Sequence, residues 1–152
     1  MITLIKTPQK NPQDIFDDVK IGKIHIVCMA WNGLTHLNVY GELFYKLPKE
    51  ELNQFVDLVN SSRETGTLFP KANISILPVC ENENHDALNL NELTECIKDV
   101  FIANQMYLKS DIIYFTLENA YIDKSIALRI LEDFILKNAS ANQYVKTIWF
   151  EE

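Results

Sequence analysis

Residues 111–117 read DIIYFTL and residues 144–150 read YVKTIWF, two short apolar runs on either side of a polar-apolar segment. Within that segment, Ser125 to Asn138 places Ile126, Ala127, Ile130, Leu131, Phe134 and Ile135 at the spacing of one helix face. Runs too short for buried helices, joined through an amphipathic helix, predict a strand-helix-strand unit of a parallel sheet. The loop Glu118–Ile122 leaves the C-terminal end of the first strand, where open α/β sheets hold their ligands.

Working outward from this unit, the same alternation continues. Leu90, Leu93, Ile97, Val100, Phe101 and Leu108 keep helical spacing as far as Lys109, and Asn89 with Glu92 forms a capping-box signature. Asn73–Cys80 (NISILPVC) reads as a strand whose Pro78 places its end near an edge or a bulge. Pro48 to about Asn60 reads as a helix: Pro suits the first position, and Leu52, Phe55, Val56 and Val59 make one stripe. Lys23–Ala30 (KIHIVCMA) is nearly continuous in apolar residues, as expected of a central strand buried on both faces, and ends at the turn Trp31-Asn32-Gly33. Leu37–Tyr45 fits a helix or a strand, and Ser61–Gly66 is a polar stop. Near the start, Ile2–Ile5 reads as a first strand, Pro8 and Pro12 interrupt regular structure, and Asp14-Ile15-Phe16 opens an acidic turn or a single helical turn. The expected architecture is one α/β domain over residues 1–152, with helices on both faces of a mixed, mostly parallel central sheet. Its strand ends gather Trp31-Asn32-Gly33, Glu81–Asp86 and Glu118–Ile122 on one rim.

Composition narrows the chemistry. With 14 basic and 21 acidic residues the net charge is −7, the wrong sign for a nucleic-acid backbone; it suits solubility or a basic protein partner. Cys28, Cys80 and Cys96 are odd in number and lack metal or disulfide spacing, which predicts a reducing cytoplasm. No apolar run reaches the roughly 18 residues of a membrane helix, so no membrane association is expected.

The polar candidates divide readily. His25 lies on a strand expected to be buried and reads as a core histidine; His36 and His85 share no ligand spacing, so no metal or cofactor is expected. Trp31 and Tyr121 fall in rim loops, where each could stack on a base or simply anchor its loop. Self-sufficient catalytic motifs are absent from the chain, including the Walker loop, Gly-x-Ser-x-Gly and Cys-x-x-Cys.

Several segments resemble the macro domain, in particular its short, single-domain ADP-ribose glycohydrolase-like branch. Gln13-Asp14-Ile15-Phe16 is similar to the family's Gly-Asp-Ile/Leu segment, and Ile24–Gly33 (IHIVCMAWNG) to its buried strand and Asn-rich turn. Gly41–Phe55, Asn89–Leu117 and the final helix and strand follow the family's order. The resemblance implies a three-layer α/β/α fold and an ADP-ribose or related adenine-nucleotide ligand. It makes Asp14 the acceptor for an adenine amino group and Asn32 a ribose contact, with Glu118, Asn119 and Tyr121 in the phosphate loop. Where the family's phosphate loop has glycines, this chain has Glu118 and Ala120. A carboxylate about 5 Å from a diphosphate charge costs roughly 3 kcal/mol at an effective dielectric of about 20, close to a hundredfold in affinity. The branch's lysine after the middle strand is also missing from Leu77-Pro78-Val79-Cys80. Asp123 remains as a weak candidate acid or base, although it also suits a helix N-cap. Two functions follow: a nucleotide-binding module without efficient catalysis, or a degenerate macro fold acting as an acidic, inhibitor- or immunity-type protein that binds a basic partner.

Overall fold

The computed structural model describes residues 1–30, 48–50, 53, 67–69, 73–78, 90–116, 124–138 and 142–152. In chain order they form β1 (Thr3–Thr7), α1 (Pro12–Lys20), β2 (Ile24–Ala30), β3 (Thr67–Phe69), β4 (Ile74–Pro78), α2 (Leu90–Ala103), β5 (Ile112–Thr116), α3 (Lys124–Asn138) and β6 (Thr147–Glu151). Lys49, Glu50 and Asn53 are helical, within the helix expected from Pro48. Leu37–Tyr45 lies outside the described residues.

The sheet has six strands in the order β1-β6-β5-β2-β4-β3. Five are mutually parallel and β3 joins β4 antiparallel, so the sheet is mixed and mostly parallel as expected. β2 sits between β5 and β4, and its Ile24, His25, Ile26 and Val27 are completely buried. A strand flanked on both sides and covered on both faces has no wet face for alternating polar residues, hence an apolar run interrupted only by His25.

Period-two side-chain alternation sends residues to two layers. Val27, Ile113, Phe115, Ile148 and Phe150 meet Leu93, Ile97, Val100 and Phe101 of α2 and Ala127, Ile130 and Leu131 of α3 in one cluster. Phe101 lies 6.4 Å from Phe115 and 4.5 Å from Phe134 between ring centroids, tying both helices to the sheet. Burying a side chain of this size contributes about 1.5–3 kcal/mol. α1 contributes buried Ile15 and Val19 against β2, outside that cluster, and completes the third layer.

Four local expectations are corrected. Asp14-Ile15-Phe16 is part of a nine-residue helix, because Asn11 caps it, Pro12 takes a first-turn position and Gly22 (φ 84°) closes it. The closure is a Schellman motif: Gly22 N–H donates to Val19 O at 3.0 Å and Lys23 N–H to Asp18 O at 2.9 Å. Second, Pro78 ends β4, which is an inner strand; Pro78 is in register with Ala30. Third, regular α-helix stops at Ala103. Asn104–Leu108 widens into a π turn, Lys109 N–H reaches Asn104 O at 2.6 Å, and Lys109 adopts φ 55°. Fourth, β6 begins at Thr147 and not at Tyr144, and Ile126 of the expected helix face is exposed at 44%. The three-residue β3 had no counterpart in the sequence reading.

The buried polar group at the centre is His25. Complete burial pushes its imidazole pKa from 6.5 down to about 3, opposed weakly by a side-chain hydrogen bond with Asn104. The folded state therefore binds fewer protons than the unfolded chain between those two values, so stability is full above pH 6.5 and falls as pH drops toward 3. The slope is about 1.4 kcal/mol per pH unit, which gives roughly 2 kcal/mol between pH 6.5 and pH 5. Urea unfolding at pH 7 and pH 5 should show this loss, and His25→Gln should remove most of it. Equal pH sensitivity in the two proteins would contradict the assignment.

Candidate functional site

Because β1, β6, β5, β2 and β4 run parallel, their C-terminal ends fall on one edge of the sheet. Thr7 pairs with Glu151, Cys28 with Thr116, and Ala30 with Pro78 along that edge. Thr7, Thr116 and Glu151 are buried there, an unusual concentration of polar side chains for the inside of a sheet. Thr116 Oγ1 donates to Val27 O at 3.3 Å.

The chain turns from β1 into α1 over this rim through Pro8–Asn11. Buried Tyr114 anchors the turn: its hydroxyl accepts the Lys10 N–H at 3.0 Å, a contact spanning 104 residues. Lys10 Nζ lies 4.5 Å from the Trp149 ring centroid, and Tyr114 meets Trp149 edge-on at 5.9 Å. Cation–π and edge contacts of this kind each add about 0.5–1.5 kcal/mol. The start of α1 is thus held on the two neighbouring strands β5 and β6.

What α1 offers at this end follows from its cap. Pro12 has no N–H, Asn11 Oδ1 accepts from Gln13 N–H at 2.8 Å, and Asn11 O accepts from Asp14 N–H at 3.0 Å. No N–H of the first three positions is left for an anion. Asp14 stands exposed in the same turn and adds a negative charge. The chemistry here favours a ligand hydrogen-bond donor over a phosphate.

Asp14 is the one sequence-predicted ligand residue within the described structure. Trp31, Asn32, Glu118, Asn119, Tyr121 and Asp123 lie outside it, as do His36 and His85. By chain position, Trp31 follows the last residue of β2, Glu118 is two residues beyond β5, and Asp123 precedes α3. The Lys10–Tyr114–Trp149 cluster was missed by sequence reasoning; DIIYFTL and YVKTIWF each contain one of its rings, but nothing local shows that they meet. Among the described residues no group of three His, Cys, Asp or Glu could hold a metal ion, and no helix is long and apolar enough to cross a membrane.

No family model matches the chain, and no curated protein matches its sequence. Solved structures do match its shape. The chain is similar to the macro domain of ganglioside induced differentiation associated protein 2, with TM-score 0.60 and 15% identity over 98% of this chain and 76% of that one. The macrodomain of Thermus aquaticus DarG matches with TM-score 0.55 and 15% identity, over 100% of this chain and 98% of that one. The IBV X-domain matches with TM-score 0.57 and 9% identity, over 99% and 90%. The fold is that of macro domains, an α/β/α arrangement around a mostly parallel sheet.

Tyr114→Phe removes the acceptor of the part-buried Lys10 N–H and should cost about 1–3 kcal/mol. Urea unfolding would measure that loss, and amide exchange at Lys10 should accelerate. Unchanged exchange at Lys10 would show that the hydroxyl does not anchor the rim.

Proposed function

We propose that this protein is a macro-domain-like module that binds ADP-ribose or a related adenine nucleotide at the C-terminal rim of its sheet, without efficient catalysis. The observation that carries this reading is Asp14, exposed in the first turn of an α1 whose start is anchored to Tyr114 and Trp149. A carboxylate at a helix start with no N–H left for phosphate is suited to an exocyclic amino group, and so to the base end of a nucleotide. Trp31 and Asn32 follow β2 directly in the chain and are assigned base and ribose contacts; Glu118, Asn119 and Tyr121 are assigned to the phosphate side.

Catalysis is weakly supported. Asp123 is the weak candidate for an acid or base, and its position immediately before α3 also suits an N-cap. Glu118 in place of glycine opposes a tightly held diphosphate, so modest affinity is expected. The net charge of −7 leaves a basic protein as the competing partner.

ADP-ribose at 100 times its dissociation constant should raise stability by about 2.7 kcal/mol in thermal unfolding. Asp14→Ala should weaken binding about tenfold or more in calorimetry, and Glu118→Gly should strengthen it. No stabilisation at millimolar ADP-ribose, or a response indifferent to Asp14→Ala, would defeat the nucleotide reading. Salt-sensitive binding of a basic protein without any nucleotide response would replace it.

A further inference from the structure

The opposite face of the sheet carries a second surface. Between the outer sides of α2 and α3 lie two adjacent cavities of about 690 and 220 Å³, both bordered by Lys98 and Phe134, that follow one groove along the helix pair. One bank is Ile126, Ile130 and Phe134, spaced four residues apart along α3, which spans roughly 12 Å of helix. The other bank includes Ile102 and Met106, exposed at 54% and 59%. Ile130 and Phe134 form the floor where the groove meets the core, whereas Ile126, Ile102 and Met106 stand exposed along it, an apolar surface that marks an interaction site.

The charge of the groove differs in sign from that of the molecule. Among the described residues Lys98, Arg129 and Lys137 line it with a single acid, Asp133, whereas the chain as a whole carries −7. Lys98 pairs with Glu95 at 3.5 Å and Lys137 with Asp133 at 2.9 Å. Among the described residues Arg129 has no ion pair, and it sits one residue from Ile130 at the mouth of the apolar cleft. A guanidinium beside an apolar furrow is suited to a carboxylate carried on an apolar stripe.

We propose that the α2–α3 groove docks an acidic amphipathic helix of a partner protein, its apolar stripe between the two banks and a flanking carboxylate on Arg129. Two neighbouring helical banks accept a third helix through anchors at i, i+4 and i+7, and the cationic lining selects an acidic flank over a basic one. This surface is independent of the rim, because α2 and α3 cover the face of the sheet opposite α1.

A fluorescein-labelled model peptide with a helical leucine stripe flanked by glutamate, and its lysine-flanked counterpart, provide the test by fluorescence anisotropy. The glutamate peptide should bind about tenfold or more tightly than the lysine peptide. Arg129→Glu should reverse that preference, Ile102→Asp should abolish binding of both, and Ile21→Asp, an exposed change on α1's side, should alter neither. Absence of binding, or binding that ignores Arg129→Glu, would overturn the proposal. So would a dimer in sedimentation that Ile102→Asp disperses, which assigns the groove to a second copy, or capture by phosphatidylglycerol vesicles with no peptide binding.

Discussion

Asn104 closes the connection on which the centre of the sheet depends. Its Nδ2 donates to Ser110 O at 3.1 Å while its Oδ1 accepts from Ser110 N–H at 3.2 Å, a reciprocal pair that reverses the chain from α2 toward β5. The same side chain shares a hydrogen bond with buried His25 of β2. One nearly inaccessible amide thus ties together the long helix, the strand after it and the neighbouring strand. Buried polar groups of this kind are stabilising only when paired, since each orphaned donor or acceptor costs about 1–3 kcal/mol. The π turn fits this constraint: the widened turn is where Asn104 faces inward and Lys109 takes a left-handed conformation.

With β2 and β5 fixed side by side, parallel geometry gives the rest. Parallel neighbours need crossover connections, so the five parallel strands end on the same rim and each return carries the chain back to the other. The rim is where polar side chains become affordable, as Thr7, Thr116 and Glu151 illustrate, and where α1 is pinned by Tyr114 and Trp149. Helices α2 and α3 occupy the face opposite α1, which separates the rim at the start of α1 from the groove between α2 and α3.

Much of this fold was legible because its central elements are governed by burial. The runs KIHIVCMA and DIIYFTL lack alternation because their centres, Ile24–Val27 and Ile113–Thr116, are covered on both faces, and α2 and α3 repeat at 3.6 residues because each has one wet side. The misreadings share a physical origin, namely features decided by a few local atoms. α1 depends on Asn11, Pro12 and Gly22 acting together, and Pro12 alone looks like a breaker. β3 is three residues whose strand state is conferred by pairing with β4. Ile126 keeps the helical stripe yet faces outward, since periodicity identifies a face and not its neighbour. Of the site, Asp14 is visible in the sequence through the resemblance of Gln13-Asp14-Ile15-Phe16 to a macro-domain segment, while the Lys10–Tyr114–Trp149 anchor joins three segments far apart in the chain.

The central claim is that the rim at the start of α1 receives the base of an adenine nucleotide, and amide chemical-shift mapping with ADP-ribose tests it most directly. The expected result is saturable shifts at Gln13, Asp14 and Thr116, with Ile102 and Arg129 on the opposite face unmoved. Shifts confined to α2 and α3, or none at all, would contradict it.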